Sequence, residues 1–207
     1  MKTDYAPAVA ALTRKDPQLR ALVRVVGPCT MGWDRTRRPH FAELARMICY
    51  QQLAGAAART IHGRFEALFD GHPTPETVLS VPEVALRGAG LSAAKAASIR
   101  DLAVRVDAGE VKLARMGRLP DDEVVRELTL VRGIGRWTAE MFLMFQLGRL
   151  DVWPVGDFGV RSGYARLYGL DAMPTAKQLE PLGEPFRPYR SLVAWWCWRT
   201  ADTVTPD

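Results

Sequence analysis

The sequence predicts an all-α protein made of two helical lobes with a cleft between them, a natural place for a substrate. Apolar residues recur at i, i+3 and i+4 along most of the chain. No stretch sustains the period-two alternation of a half-buried strand. The 207 residues are 48% hydrophobic, which is enough to bury a real core.

The elements follow in order. The periodicity predicts a first helix over 4–25, then an irregular connection over 27–39 around Gly27-Pro28 and Met31-Gly32. Phe41, Leu44, Ala45, Ile48 and Leu53 form an apolar stripe that predicts a helix over 40–54. Ile61, Phe65 and Leu68 continue the stripe over 56–70. Thr74-Pro75-Glu76 supplies an N-cap, a proline at the first helical position and an acid in the first turn of a helix over 75–80. Another helix is predicted over 83–89, and Ser92 starts an Ala-rich one over 92–108. Asp121 follows Pro120 and opens 121–131, and a strongly apolar helix runs over 136–147. Pro154 and Gly156 mark a second connection over 148–156. Helices over 157–169, 175–182 and 188–200 complete the chain, with Thr175 and Gln178 spaced as a capping box. The expected lobes are 38–150, holding a hairpin at 128–147, and 1–37 together with 151–207.

Composition excludes several classes. No apolar run approaches the roughly 20 residues of a membrane span, and the start lacks a secretion signal, so a cytoplasmic protein is expected. Cys29, Cys49 and Cys197 are too few and scattered for a disulfide framework or a metal cluster. His40, His62 and His72 have no evident partners and read as surface or structural residues. A net charge of +5 with 28 Lys+Arg allows a polyanionic partner without requiring one.

The most informative segment is Leu128-Thr129-Leu130-Val131-Arg132-Gly133-Ile134-Gly135-Arg136-Trp137-Thr138-Ala139. One helix ends, two glycines bracket an isoleucine, and a second helix begins. Gly133 and Gly135 allow backbone geometry and close approach that a Cβ would block. Ile134 would pin the turn into the core. The amides of Gly135, Arg136 and Trp137 would stand at a helix N-terminus, where the dipole favours phosphate. Taken alone, the glycines equally fit a tight helix–helix turn.

Downstream lies Trp153-Pro154-Val155-Gly156-Asp157-Phe158-Gly159-Val160-Arg161. Asp157 opens a helix and fits an N-cap. Tryptophans 195, 196 and 198 cluster after Arg187-Pro188-Tyr189-Arg190, which fits core packing with an amphipathic terminal helix. Gln51 and Gln52 end the 40–54 helix, where buried glutamines commonly bond backbone groups.

Taken together these patterns resemble the helix-hairpin-helix DNA glycosylase superfamily, and within it the 3-methyladenine DNA glycosylase II branch in a form without its N-terminal β domain. The resemblance spans about residues 30–200. It implies that the hairpin, with Gly133, Ile134, Gly135, Arg136 and Thr138, grips the DNA backbone without reading sequence. It also implies that Asp157, not Asp151, is the catalytic acid. Trp137, Met141 and Trp198 are then walls of the base pocket. Gln52, or its neighbour Gln51, is the wedge that fills the duplex, although Ala54-Gly55 departs from the family pattern there. Ser92 and Lys95 would meet a second phosphate. No cofactor is expected, beyond a Na⁺ or K⁺ that the carbonyls of Thr129, Val131 and Ile134 would hold.

The chemistry fits that assignment. Cleaving a base–sugar bond builds positive charge on the sugar, and a fixed carboxylate stabilises charge where it develops. A methylated purine is cationic and is attracted to electron-rich aromatic faces, once the base has left the duplex. Glycosylases that also cut the backbone carry a nucleophilic lysine at the hairpin-helix position occupied here by Trp137, so a monofunctional enzyme is expected. The expected function is excision of 3-methyladenine- and 7-methylguanine-type bases from damaged double-stranded DNA by a monomer. Two alternatives stay open: a glycosylase for deaminated or oxidised bases, and a helical DNA-binding module without catalysis.

Overall fold

The computed structural model describes residues 4–32 and 38–200, and these residues contain helices and no strand. The chain divides into two compact units: Thr36–Phe142, and Met1–Arg35 with Leu143–Asp207. The division after Phe142 falls inside the helix predicted over 136–147, before the expected boundary at 150.

In the second of these units the predicted first helix is broken in two, α1 (Ala6–Lys15) and α2 (Pro17–Val26). Pro17 cannot extend α1 without losing a backbone hydrogen bond, and the Asp16 side chain accepts from the Leu19 amide to cap α2. Asp16-Pro17 was the missed signal. The expected connection over 27–39 is described only in part, because 33–37 lie outside the described residues.

The central unit holds α3 (His40–Tyr50), α4 (Gly55–Ala67), α5 (Pro75–Ser80), α6 (Glu83–Gly88), α7 (Ala93–Asp107), α8 (Asp121–Leu128) and α9 (Arg136–Met141). A 3₁₀ turn over Leu113–Arg118 went unpredicted, because Gly117 and scattered arginines obscure its periodicity. Its core is built from Leu44, Ile48, Phe65, Leu86, Ile99, Leu102 and Met116. Leu53 departs from the predicted stripe: α3 ends at Tyr50, and Leu53 is left 39% exposed. Past Met141 the helix widens into a π-helical segment, Phe142–Leu147.

The other unit continues with α10 (Phe158–Tyr168), α11 (Ala176–Leu182), a short 3₁₀ turn (Glu184–Phe186) and α12 (Arg190–Thr200). The Thr175–Gln178 capping box forms as predicted. The expectation of an amphipathic terminal helix is corrected. Every residue of α12 from Ser191 to Trp198 is buried, so it is the core helix of its unit, apolar on all faces. Buried Ser191 accepts from the Val152 amide and donates to the Arg149 carbonyl, fixing the 149–152 segment along α12.

α10 and α12 pack closely, and glycine makes this possible. A Cβ on Gly163 would overlap the Cys197 backbone carbonyl. Gly183 is similarly needed, because a Cβ there would lie 2.5 Å from the Trp153 indole nitrogen. That nitrogen donates to the Leu179 carbonyl at 3.0 Å.

Candidate active site and nucleic-acid interface

Asp157 sits at the N-cap of α10, and its Oδ1 accepts the Val160 amide at 2.7 Å. The same oxygen accepts the indole N–H of Trp198 at 2.7 Å. Two donors on one oxygen fix the plane of the carboxylate. The predicted acid and the predicted aromatic wall are thus brought together, 41 residues apart in sequence. Trp198 is buried and stacks on Phe145, with ring centroids 5.9 Å apart at 27°. Phe145 went unrecognised, since one aromatic in an apolar run carries no signal of its own. Burial, and then the negative charge of Asp157, push the Cys197 thiol above its ordinary range, so that sulfur stays protonated and inert.

Asp151 has a different task. Its carboxylate takes Arg190 Nε at 2.8 Å and an Arg187 nitrogen at 2.6 Å, which ties the start of α12 to the preceding segment. Trp195 and Trp196 are core residues, the latter donating to the Gly27 carbonyl at 3.2 Å.

In the central unit the hairpin between α8 and α9 has the predicted turn. Ile134 is buried, 3% exposed, and its amide donates to the Val131 carbonyl at 3.1 Å. The two glycines differ. Gly133 has φ +77°, and a Cβ on it would collide with Ser98 Oγ. Gly135 has φ −91° and open space around its Cβ position, so close approach does not require it there. As N-cap of α9 it provides no side-chain acceptor for the first amides. Arg136 extends from that first turn, 75% exposed, with Nε on the buried Glu140 carboxylate at 2.9 Å. Trp137 is 41% exposed, while Met141, one turn on, is buried at 2%. Thr138 is buried, and its hydroxyl accepts a 3.4 Å contact from Gln51.

The glutamine pair divides its duties. Gln51 donates its side-chain amide to the Gly133 carbonyl at 3.0 Å. Gln52 is exposed and holds φ +56°, in the left-handed region that a non-glycine residue rarely occupies. Ser92 caps α7 by accepting from the Lys95 amide at 3.3 Å. Lys95, expected at a phosphate, donates its ammonium to the Cys49 carbonyl at the end of α3, at 2.7 Å. Desolvation there holds its pKa below the usual lysine range. For the hairpin cation, the carbonyl oxygens of Thr129, Val131 and Ile134 are the right hard donors for Na⁺ or K⁺. Val131 O keeps a second lone pair beside the Ile134 amide. Among the described residues no group of His, Cys, Asp and Glu could hold a metal ion, and no helix is long and apolar enough to cross a membrane.

One unit thus holds a half-buried acid that accepts the N–H of a stacked indole, and the other a glycine hairpin ahead of a helix. The chain belongs to the HhH-GPD superfamily of base excision DNA repair proteins, which it matches over residues 45–188. It is 33% identical to DNA-3-methyladenine glycosylase 1 of Schizosaccharomyces pombe, over 96% of this chain and 89% of that protein. The solved structure of S. pombe 3-methyladenine DNA glycosylase Mag1 in complex with abasic DNA matches it with a TM-score of 0.84 and 33% identity. That likeness covers 96% of this chain and 98% of the other. The crystal structure of DNA-3-methyladenine glycosidase from Bacillus halodurans matches with a TM-score of 0.86 and 35% identity, over 98% and 92% of the two chains.

Proposed function

We propose that this protein is a DNA glycosylase that hydrolyses the N-glycosidic bond of alkylated purines, of 3-methyladenine and 7-methylguanine type, in double-stranded DNA. The observation that carries the reading is the Asp157 carboxylate, held by Val160 N–H and Trp198 Nε1–H on one oxygen. Such an anion cannot swing away as the reaction proceeds. It stabilises the positive charge that grows on the deoxyribose as the base departs, with no reorganisation at the moment of reaction. An N-alkylated purine already carries positive charge, so its bond is weakened and little protonation of the leaving base is needed. The indole of Trp198 attracts that cation by its face.

Gly133, Ile134, Gly135, Arg136 and Thr138 are the backbone-gripping turn. A Na⁺ or K⁺ on the carbonyls of Thr129, Val131 and Ile134 would add a positive charge for phosphate. Gln52, exposed and pre-set in its left-handed conformation, is the wedge that fills the space left by the extruded base. Trp137 has no amine, so no Schiff base forms and the product is an intact strand with an abasic site. The enzyme acts as a monomer.

The test is release of free base from methylated duplex DNA. Wild-type protein is expected to release 3-methyladenine and 7-methylguanine. Asp157→Asn, which keeps an acceptor oxygen for both donors, is expected to bind the duplex normally while excision falls by about 10²-fold or more. Release of uracil or 8-oxoguanine in place of methylated purines would move the substrate class. Undiminished release by the variant would remove Asp157 from the mechanism.

A further inference from the structure

Helix α7 carries three polar side chains at three-residue spacing: one reaches the end of α3, and two reach the hairpin. Lys95 donates to the Cys49 carbonyl at 2.7 Å, on the last turn of α3 just before the Gln51–Gln52 turn. Ser98 is buried and bonded to the Ala94 carbonyl at 2.8 Å, with its hydroxyl filling the space that a Cβ on Gly133 would need. Asp101 accepts the Arg132 backbone amide on Oδ2 at 2.7 Å. That oxygen also takes Arg105 Nε at 2.9 Å, so the acceptor is itself steadied. Burial opposes the charge of Asp101, but the Arg132 amide and Arg105 outweigh it and hold the acid below its usual range. Gln51 closes the loop from the other side by its bond to Gly133 O at 3.0 Å.

We propose that this side of α7 is a positioning element that holds the Gln52 turn and the Gly133 hairpin at a fixed separation, and that Lys95 and Asp101 act on DNA through those loops without touching phosphate. From Lys95 to Asp101 the helix rises about 9 Å, which sets the spacing of the two loops. The distance between an inserted side chain and a gripped phosphate is then a property of α7. This rests on the glycosylase reading above.

The test uses the full chain, a duplex with one methylated purine, and 2-aminopurine beside it to report unstacking. Wild-type protein that releases no methylated base overturns the glycosylase reading, and this inference with it. Lys95→Met keeps the aliphatic stem and removes the donor. It is expected to cut the 2-aminopurine signal and single-turnover release about tenfold, on the scale of a sub-ångström misplacement. It is also expected to leave the slope of log K against log salt unchanged. Lys95→Arg restores a donor and is expected to recover most of the signal, which guards against a variant that merely unfolds. Asp101→Ala is expected to weaken duplex binding about tenfold, and Asp101→Asn, which still offers an oxygen to Arg132 N–H, to recover it. A salt slope that falls by about 0.9 in Lys95→Met would make that lysine a phosphate contact and overturn the proposal. So would unchanged unstacking in Lys95→Met, or failure of Asp101→Asn to rescue binding.

Discussion

The indole N–H of Trp198 and the amide of Val160 converge on one oxygen of Asp157, each at 2.7 Å. The aromatic residue and the acid are therefore parts of a single electrostatic device. Trp198 supplies a ring and orients the carboxylate with the same side chain.

Trp198→Phe separates those contributions. The ring still stacks on Phe145, but the donor is gone. A hydrogen bond to a charged group is worth about 1.5–3 kcal/mol. Single-turnover excision is expected to fall about 10- to 100-fold while duplex affinity changes little. An unchanged rate would show that Val160 alone orients the acid.

Gly163→Ala tests the packing that brings Trp198 to Asp157. The new methyl meets the Cys197 carbonyl, which is backbone and cannot rotate aside. α10 and α12 must then part, at about 1–3 kcal/mol or more. Thermal denaturation is expected to show a lowered Tm, with excision lost more steeply than stability predicts. A variant of wild-type Tm would mean that the helices separate at no cost.

The hairpin glycines are expected to respond differently. Gly133→Ala combines φ +77° with a collision at Ser98 and is expected to cost about 1–3 kcal/mol and to weaken DNA binding. Gly135→Ala has an ordinary φ of −91° and open space, so its stability should change by less than about 1 kcal/mol. Urea unfolding of both variants checks the contrast, and equal destabilisation would contradict it.

His62 predicts a pH dependence of stability. Its Nε2 is buried without a hydrogen-bond partner, and burial holds its pKa below the ordinary value, against the raising effect of Glu66. The unfolded chain takes up that proton near pH 6.5 while the folded chain resists it. The unfolded state binds more protons in that window, so stability falls as pH drops from about 7 toward the folded pKa. His40, also lowered by burial, adds to the same slope. Urea midpoints between about pH 7.5 and about pH 5 are expected to fall, and His62→Phe to flatten the decline. An equally steep decline in that variant would assign the effect elsewhere.

Much of the fold was legible in the residues. Thr74, Ser92, Asp157 and Thr175 all cap helices where their local pattern put them. The break at Asp16-Pro17 and the exposure of Leu53 were missed, because apolar spacing continues across both positions. The terminal helix was read as amphipathic, whereas every residue from Ser191 to Trp198 is covered.

Local chemistry is what the sequence by itself determined: where most helices start, that Gly133 must turn the chain, and that an acid opens α10. Caps, periodicity and glycine conformations depend only on neighbouring residues. Which groups meet was decided by tertiary structure alone. Trp198 finds Asp157 across 41 residues, Lys95 finds Cys49 across 46, and Gln51 finds Gly133 across 82. Each contact depends on helices packing within tenths of an ångström, as at Gly163 against Cys197, and no local pattern encodes such a fit.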